Sequence, residues 1–217
     1  MRDNFFHTFV LFMTGQIPDQ LSLGTLRWYT VVLYWLLFIG GITVAVINWR
    51  RDPKQRTGHH LGVFLMRFTM AGMWYLGTLW KLPWPVSPGF KFWLESTVKY
   101  SQFQIHADIM QGFLDAIVVV QPLVYLLEIY LTAALMLGFT VRLAGTLGAL
   151  FTLNLLIGLY NDPTEWPWTY VGVICAHGMF VAACAGRSLG VDNLLRLQRL
   201  PVLADNALSA RAYALAS

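Results

Sequence analysis

Long apolar runs alternate with short polar segments along most of this chain. Five of these runs have the length and apolarity that an α-helix needs to cross about 30 Å of hydrocarbon. Helices are the expected conformation, because a lipid-exposed backbone must satisfy its own hydrogen bonds. The pattern therefore predicts five membrane-spanning helices. The predicted spans are residues 28–47, 61–80, 117–136, 141–160 and 170–185.

The polar segments predict shorter elements at the membrane surface. Residues 5–13 are too short to span and follow no basic cluster, which favours an interfacial helix over a cleaved signal peptide. The connection 81–116 opens with three prolines and then turns aromatic and amphipathic. It predicts a helix against the outer face of the bundle, either as a lid or as a docking or substrate-entry surface. Residues 191–200 predict a basic amphipathic helix on the cytoplasmic leaflet.

The composition agrees with an integral membrane protein of one domain. Hydrophobic residues make up 57% of the 217 residues and charged residues 12%, whereas soluble domains have about 45–50% and about 25%. The net charge of +4 does not indicate a nucleic-acid partner, because the basic residues cluster at the ends of apolar runs. Cys175 and Cys184 lie on opposite faces of one predicted helix and are interpreted as packing residues.

The basic residues also predict an orientation. Alternate connections place nine Lys and Arg on one side of the membrane and five on the other, where seven acidic residues accompany them. The side with more basic residues is normally cytoplasmic. We therefore expect the amino terminus outside and the carboxyl terminus in the cytoplasm, in a bacterial or archaeal cytoplasmic membrane.

A few ionisable side chains interrupt the apolar runs and form the candidate site. A carboxylate inside a spanning helix costs about 2.5–3.5 kcal/mol, so Glu128 needs a partner. Counting about 1.5 Å per residue from the helix ends places Arg67, Glu128 and His177 in one layer about 9–12 Å from the cytoplasmic surface. Tyr125 shares the inward face of Glu128, and Trp74 shares that of Arg67. This pattern predicts an Arg67–Glu128 ion pair, with Tyr125 or His177 as further partners.

Two interpretations of this polar layer remain open. The layer is either an internal ion pair that fixes the order of the helices, or a site for a polar headgroup such as a quinone ring, or a proton relay. The sequence contains no phosphate-binding loop, dinucleotide fingerprint, CxxC, haem-attachment or HExxH motif. It therefore predicts neither a metal site nor a particular catalytic residue.

Three stretches resemble the DoxX/DoxD-like family of small membrane proteins: LMRFTMAGMWYLGTLWKL, LLEIYLTAALMLGFTVRLAG and AGRSLGVDNLL. The resemblance covers roughly residues 61–195 and implies a four-helix membrane bundle. One branch of that family is the small subunit of a thiosulfate:quinone oxidoreductase. The residues that match are Arg67, Gly72, Lys81, Glu128, Gly138, Arg142, Gly186, Ser188 and Asp192.

The resemblance implies three regions. Residues 1–60 hold the interfacial segment, an extra first span and a basic cytoplasmic loop; residues 61–195 form the DoxX-like core with its outer loop 81–116; and residues 196–217 form a basic tail. The extra span suits a chain that docks onto other membrane subunits.

Two functions follow as expectations. The first is a subunit of a larger redox-linked, quinone-associated complex, in contact with lipid and other subunits and not catalytic alone. The alternative is a non-catalytic structural or assembly subunit of a respiratory or photosynthetic complex. A small-solute transporter is less favoured, because no inverted repeat is visible.

Overall fold

A computed structural model describes residues 4–198, 212–213 and 215–217 of the chain. Within these residues the protein is helical and contains no strand. Short 3-10 turns join some of the helices. The α-helices in chain order are α1 (Phe5–Met13), α2 (Pro18–Ser22), α3 (Arg27–Arg51), α4 (Gly58–Thr78), α5 (Pro88–Lys99), α6 (Gln104–Asp115), α7 (Ile117–Leu137), α8 (Val141–Gly158), α9 (Pro167–Ala182) and α10 (Val191–Gln198).

Each predicted apolar run is a helix, namely α3, α4, α7, α8 and α9. Three segments are long and apolar enough to cross a membrane: Gly24–Arg51, α7 and α8. α9 is also apolar but has only 16 residues. Large apolar side chains stay exposed around the bundle, and Leu36, Leu126 and Met179 each keep about 60% or more of their surface exposed. Apolar helices with such surfaces indicate a membrane protein in contact with lipid.

The long apolar helices pack mainly in two pairs, α4 with α7 and α8 with α9, while α3 lies along α7. The face of α7 that carries Tyr125 and Glu128 is buried, as predicted, and it also includes Gln121 and Leu135. Close packing depends partly on glycine: a Cβ at Gly41 of α3 would lie 2.7 Å from the carbonyl oxygen of Met136. The bundle has two ends. The Arg67 end contains the start of α4 and the end of α7, and the Lys81 end lies opposite.

The amino-terminal helix predicted at Phe5–Met13 is present as α1. It is attached at its carboxyl end, where the Trp35 indole of α3 donates a hydrogen bond of 2.9 Å to the carbonyl oxygen of Met13. Phe12 packs edge-on against Tyr34 with ring centroids 4.7 Å apart. The carboxyl end of the short helix, with Met13 and Phe12, therefore joins the core, whereas residues 7–10 are exposed.

The connection 81–116 contains two helices, so the prediction of one helix is wrong. α5 begins where the Ser87 hydroxyl accepts a hydrogen bond from the Phe90 N–H and Pro88 occupies the first helical position. The helix ends at Lys99, and α6 begins at Gln104 after a short turn. There, the Gln102 N–H donates to the carbonyl oxygen of Ile157, at 2.9 Å. This bond anchors the α5–α6 turn to the end of α8.

The predicted amphipathic helix of residues 191–200 is present over α10, and residues 199 and 200 lie outside the described part of the chain. The tail beyond it is described only at residues 212–213 and 215–217. Tyr213 stacks on Phe139 with centroids 6.3 Å apart, which brings this piece of the tail to the Arg67 end.

Candidate functional site

The predicted Arg67–Glu128 ion pair is wrong. Glu128 instead forms a buried ion pair with Lys81. Arg67 donates to the carbonyl oxygen of Leu135 and, at 3.3 Å, to that of Ser188. Leu135 lies seven residues beyond Glu128 on α7, which is about 10 Å along a helix. The two charged groups therefore occupy different levels of the bundle.

The register between α4 and α7 explains this difference. Glu128 lies level with Gly77, where an added Cβ would be 3.4 Å from Glu128 Oε2. Arg67 lies ten residues earlier on α4, level with the end of α7. Counting inward from the ends of apolar runs does not include the offset between neighbouring helices, so it placed both groups in one layer.

The Lys81–Glu128 pair is almost completely enclosed, since the two residues are 8% and 1% exposed. The Lys81 ammonium also lies 4.3 Å from the centroid of the Trp80 ring. Among the described residues, Glu128 Oε2 has no hydrogen-bond partner, and Lys81 Nζ donates to Glu128 alone. The pair therefore retains unused donor and acceptor capacity in a low-dielectric environment.

His177 and Trp74 form a second polar contact, away from Glu128. The Trp74 indole donates a hydrogen bond of 2.9 Å to His177 Nε2. The imidazole lies against Gly148 of α8, where a Cβ would be only 2.4 Å from His177 Cε1. His177 Nδ1 is buried without a partner among the described residues. This contact joins α4, α8 and α9 in the interior of the bundle.

Tyr125 is buried on the same face of α7 as Glu128, as predicted. Its hydroxyl interacts with Tyr29 of α3 and makes no hydrogen bond with Glu128. Of the five predicted site residues, Trp74 and His177 are joined by a hydrogen bond, whereas Glu128 and Arg67 bond to residues outside the predicted set. Sequence spacing thus identified buried polar residues but not their partners.

The Arg67 end holds a compact polar cluster. A Cβ at Gly138, whose φ is +73°, would lie 2.6 Å from Arg67 Nη1. Asp192 accepts hydrogen bonds from the N–H of Thr140, the residue before α8, at 2.9 Å and from that of Val141 at 3.3 Å, and another from Tyr213. Burial raises the pKa of Asp192, and these hydrogen bonds oppose that rise. The cluster ties the ends of α7, α8 and α10 together.

A large cavity lies at the Lys81 end, between α5, α6, α7 and α8. Its volume is about 660 Å³, within the range of about 300–1,000 Å³ typical of small-molecule sites. Aromatic and aliphatic side chains form most of its walls, including Trp80, Trp93 and Phe151. The few polar side chains on its walls are Lys81, Thr97, Asn154, Glu165 and Tyr170.

Sequence analysis did not identify this cavity. Its lining comes from α5, α6, α7, α8, Tyr170 of α9 and neighbouring connections, whose arrangement cannot be predicted from an apolar pattern. One signal was present: the amphipathic connection 81–116 was interpreted as a lid or a substrate-entry surface, and α5 and α6 do form part of the wall.

Hydrogen bonds fix three of the polar wall residues, Tyr170, Glu165 and Asn154. Tyr170 donates to Glu165 Oε2, at 2.8 Å. Asn154 Oδ1 lies 3.1 Å from His106 Nε2, and His106 Nδ1 lies 2.9 Å from Ser101 Oγ. Asn154 is thereby attached to α6 and to the turn before it.

No group of three or more His, Cys, Asp or Glu in the described part of the chain could hold a metal ion. Comparison with protein-family models, curated proteins and solved structures gave no match. The fold and site therefore define an all-helical membrane protein with a buried ion pair beside an apolar cavity. The resemblance to the DoxX/DoxD-like family stays a prediction.

Proposed function

We propose that the chain is a DoxX/DoxD-like membrane subunit that holds a quinone-like molecule within a larger redox-linked complex. In this proposal α3, α4, α7, α8 and α9 all span the membrane, with the amino terminus outside and the carboxyl terminus in the cytoplasm. α4 has 21 residues, enough for about 31 Å, and the 16 residues of α9 reach about 24 Å. The membrane is a bacterial or archaeal cytoplasmic membrane.

The cavity beside the Lys81–Glu128 pair is the observation that carries this proposal. A quinone has a flat apolar ring, an apolar tail and carbonyl oxygens that accept hydrogen bonds. Aromatic walls suit the ring and tail, and Lys81 supplies donors that no described residue uses. Hydrogen bonding at a few points within an apolar pocket is the usual design of such sites.

The positions of the family-like residues support the proposal. Arg67, Gly138 and Ser188 meet at one end of the bundle, and Lys81 and Glu128 meet near the other. A Cβ at Gly186 would overlap the Asp192 carboxylate, at 1.9 Å from Oδ2. Residues that are far apart in the sequence thus depend on one another in space, as expected for a shared architecture.

The alternative is a structural or assembly subunit of a respiratory or photosynthetic complex, without chemistry of its own. The cluster at the Arg67 end favours this function. Arg67 donates to two backbone carbonyl groups and Asp192 accepts from backbone N–H groups, so both connect helix ends. In this alternative the cavity holds a structural lipid.

Co-purification tests the proposal. The native complex is extracted in mild detergent, its subunits are identified, and bound lipophilic molecules are quantified per chain. We expect redox partner subunits and about one quinone per chain, the stoichiometry of a single small-molecule site. In the double variant Lys81→Met/Glu128→Leu, the amount of bound quinone should fall by about tenfold or more, because the hydrogen-bond donor is lost.

The matched control is Lys91→Met/Glu95→Leu, which removes the exposed ion pair of α5 with its 3.8 Å contact. This control should retain quinone at the wild-type level. A wild-type complex without quinone, or equal retention in both double variants, would contradict quinone binding at this site. Bound phospholipid in place of quinone would favour the structural alternative.

A further inference from the structure

The Asn154 amide lies between His106 and the cavity. Its oxygen faces His106, whereas Nδ2 makes no hydrogen bond to any described residue. Asn154 belongs to the cavity wall. The direction of the His106 hydrogen bonds therefore decides whether Asn154 presents its NH2 group, a donor, or its oxygen, an acceptor, to a ligand in the cavity.

The Ser101 hydroxyl determines that direction. It has two possible acceptors, His106 Nδ1 at 2.9 Å and the Phe103 carbonyl oxygen at 3.2 Å. The Phe103 oxygen already accepts from the backbone N–H groups of His106 and Ala107, at 3.1 and 3.0 Å. The contact with His106 Nδ1 is the shorter one and the Phe103 oxygen already accepts two other bonds, so we assign the Ser101 proton to His106 Nδ1, with the Phe103 oxygen as a longer, secondary acceptor.

The proton on His106 then lies on Nε2, which donates to Asn154 Oδ1. In this arrangement Asn154 Nδ2, with two N–H groups, points toward the ligand space. Ser101 and His106 act as positioning residues, because they fix the amide without lining the cavity themselves.

Lys81 and Asn154 together give the cavity two separated donors. Asn154 lies 13 residues from the start of α8 and Glu128 nine residues from the end of α7. Asn154 is therefore about 6 Å further along the bundle axis than Glu128, the partner of Lys81. A ligand that accepts hydrogen bonds at two places can contact both groups.

The charges of the site disfavour an anionic ligand. Glu128 already neutralises Lys81, and Glu165 adds a second carboxylate to the wall. A fatty-acid carboxylate would introduce a further negative charge into an apolar cavity without a free cation among the described residues. Neutral carbonyl oxygens carry no such penalty.

We infer that Asn154, oriented by His106 and Ser101, is the second hydrogen-bond donor of the cavity, and that the cavity selects neutral lipophiles with two acceptor oxygens over fatty-acid anions. This inference rests on the proposed function, since it specifies the ligand class and the residue that recognises it.

Binding to the purified full-length chain in detergent tests the inference. The probes are decylbenzoquinone, decylbenzene and dodecanoate. Binding is followed by competition or through the quenching of tryptophan fluorescence, to which Trp80 and Trp93 at the cavity wall contribute. We expect wild type to bind the quinone at least about tenfold more tightly than dodecanoate, since a buried uncompensated charge is costly.

Asn154→Leu should weaken quinone binding by about tenfold, the effect of one lost hydrogen bond, and leave decylbenzene binding unchanged. His106→Leu should also weaken quinone binding relative to decylbenzene binding. Loss of folding alone would weaken the binding of both probes. Leu153→Ala is the control, because Leu153 is the exposed neighbour of Asn154 on α8. Its ratio should equal that of wild type.

The outcomes separate the two proposals. If no probe binds the wild-type chain, both the proposed function and this inference are overturned. If the quinone binds but Asn154→Leu leaves its affinity unchanged, or if dodecanoate binds equally well, the inference is wrong and quinone binding stands. An unfolded Asn154→Leu variant is replaced by Asn154→Ala, which removes the two amide donors without adding apolar bulk and must give the same loss.

Discussion

Lys81 and Glu128 form a buried ion pair that joins the segment after α4 to the middle of α7. Lys81 lies three residues beyond the end of α4, and its long side chain reaches the carboxylate next to Gly77. The apolar stem of a lysine can pack along a hydrophobic surface while its ammonium group reaches a polar partner. Glu128 is thus stabilised within an apolar helix by a cation from outside that helix.

Removing one partner of this pair should destabilise the protein more than removing both. Lys81→Met or Glu128→Gln leaves a buried polar group without its partner, at a cost of about 3–5 kcal/mol in soluble proteins. Lys81→Met/Glu128→Leu should restore most of the lost free energy of unfolding, because two apolar side chains can be buried without the cost of removing charged groups from water. Thermal unfolding in detergent measures the three variants.

Lys91→Met is the control for that comparison. Its ion pair with Glu95 is exposed on α5, and such pairs contribute about 0–1 kcal/mol. The variant should therefore unfold close to the wild-type temperature. If the two single losses at Lys81 and Glu128 simply add in the double variant, the pair does not stabilise the fold.

The helices could be predicted from the sequence because their signal is local. Apolar runs and the turn residues that interrupt them are visible without any knowledge of neighbours, and each predicted span is a helix. The break inside residues 81–116 was missed, because it depends on the contact between Gln102 and the end of α8.

The partners of the polar residues could not be predicted in the same way. Hydropathy gives the approximate ends of a helix, whereas a hydrogen bond depends on the offset and rotation of two helices to within a few ångströms. Arg67 and Glu128 were placed in one layer for this reason. Lys81 follows the last residue of the predicted span 61–80, so it is not among the charged residues that interrupt the apolar runs.

Gly138→Ala should strongly destabilise the Arg67 end. Gly138 has a φ of +73°, and an added Cβ would lie 2.6 Å from both Arg67 Nη1 and the Gly190 Cα. Backbone strain and overpacking together predict a loss of about 2–4 kcal/mol in the free energy of unfolding. Denaturant titration of the detergent-solubilised protein provides the measurement.

Gly178→Ala provides the matched control for this prediction. Gly178 lies in helix α9, and a Cβ there would meet no atom within 4 Å. Alanine is favoured over glycine in a helix by about 0.5–1 kcal/mol, so this variant should be neutral or slightly more stable. Equal losses in the two variants would refute the close contact at Gly138.

The proposed topology predicts opposite labelling of Lys54→Cys and Gln102→Cys in a background that carries Cys175→Ser and Cys184→Ser. Both side chains are exposed, and α4 lies between them in the chain. A membrane-impermeant maleimide added to intact cells should label only Gln102→Cys, and lysis should make Lys54→Cys reactive. Reaction of both positions in intact cells would contradict the proposed orientation and span of α4.

The close contact between His177 and Gly148 predicts that a side chain at position 148 destabilises the protein. A Cβ on Gly148 would lie 2.4 Å from His177 Cε1 and 2.7 Å from Nε2, the atom that accepts from Trp74. Gly148→Ala should therefore displace the imidazole, break the indole hydrogen bond and lower the free energy of unfolding by about 2–3 kcal/mol. His177→Ala should cost a similar amount through the cavity it leaves.

The double variant Gly148→Ala/His177→Ala distinguishes a steric contact from two independent effects. The new methyl group then occupies part of the space vacated by the imidazole, so the double variant should be at least about 1 kcal/mol more stable than the sum of the single losses predicts. Thermal unfolding of the four proteins completes the cycle, with Gly172→Ala as a helix control that has open space around its Cβ. Strict additivity would mean that α8 and α9 do not pack through this pair.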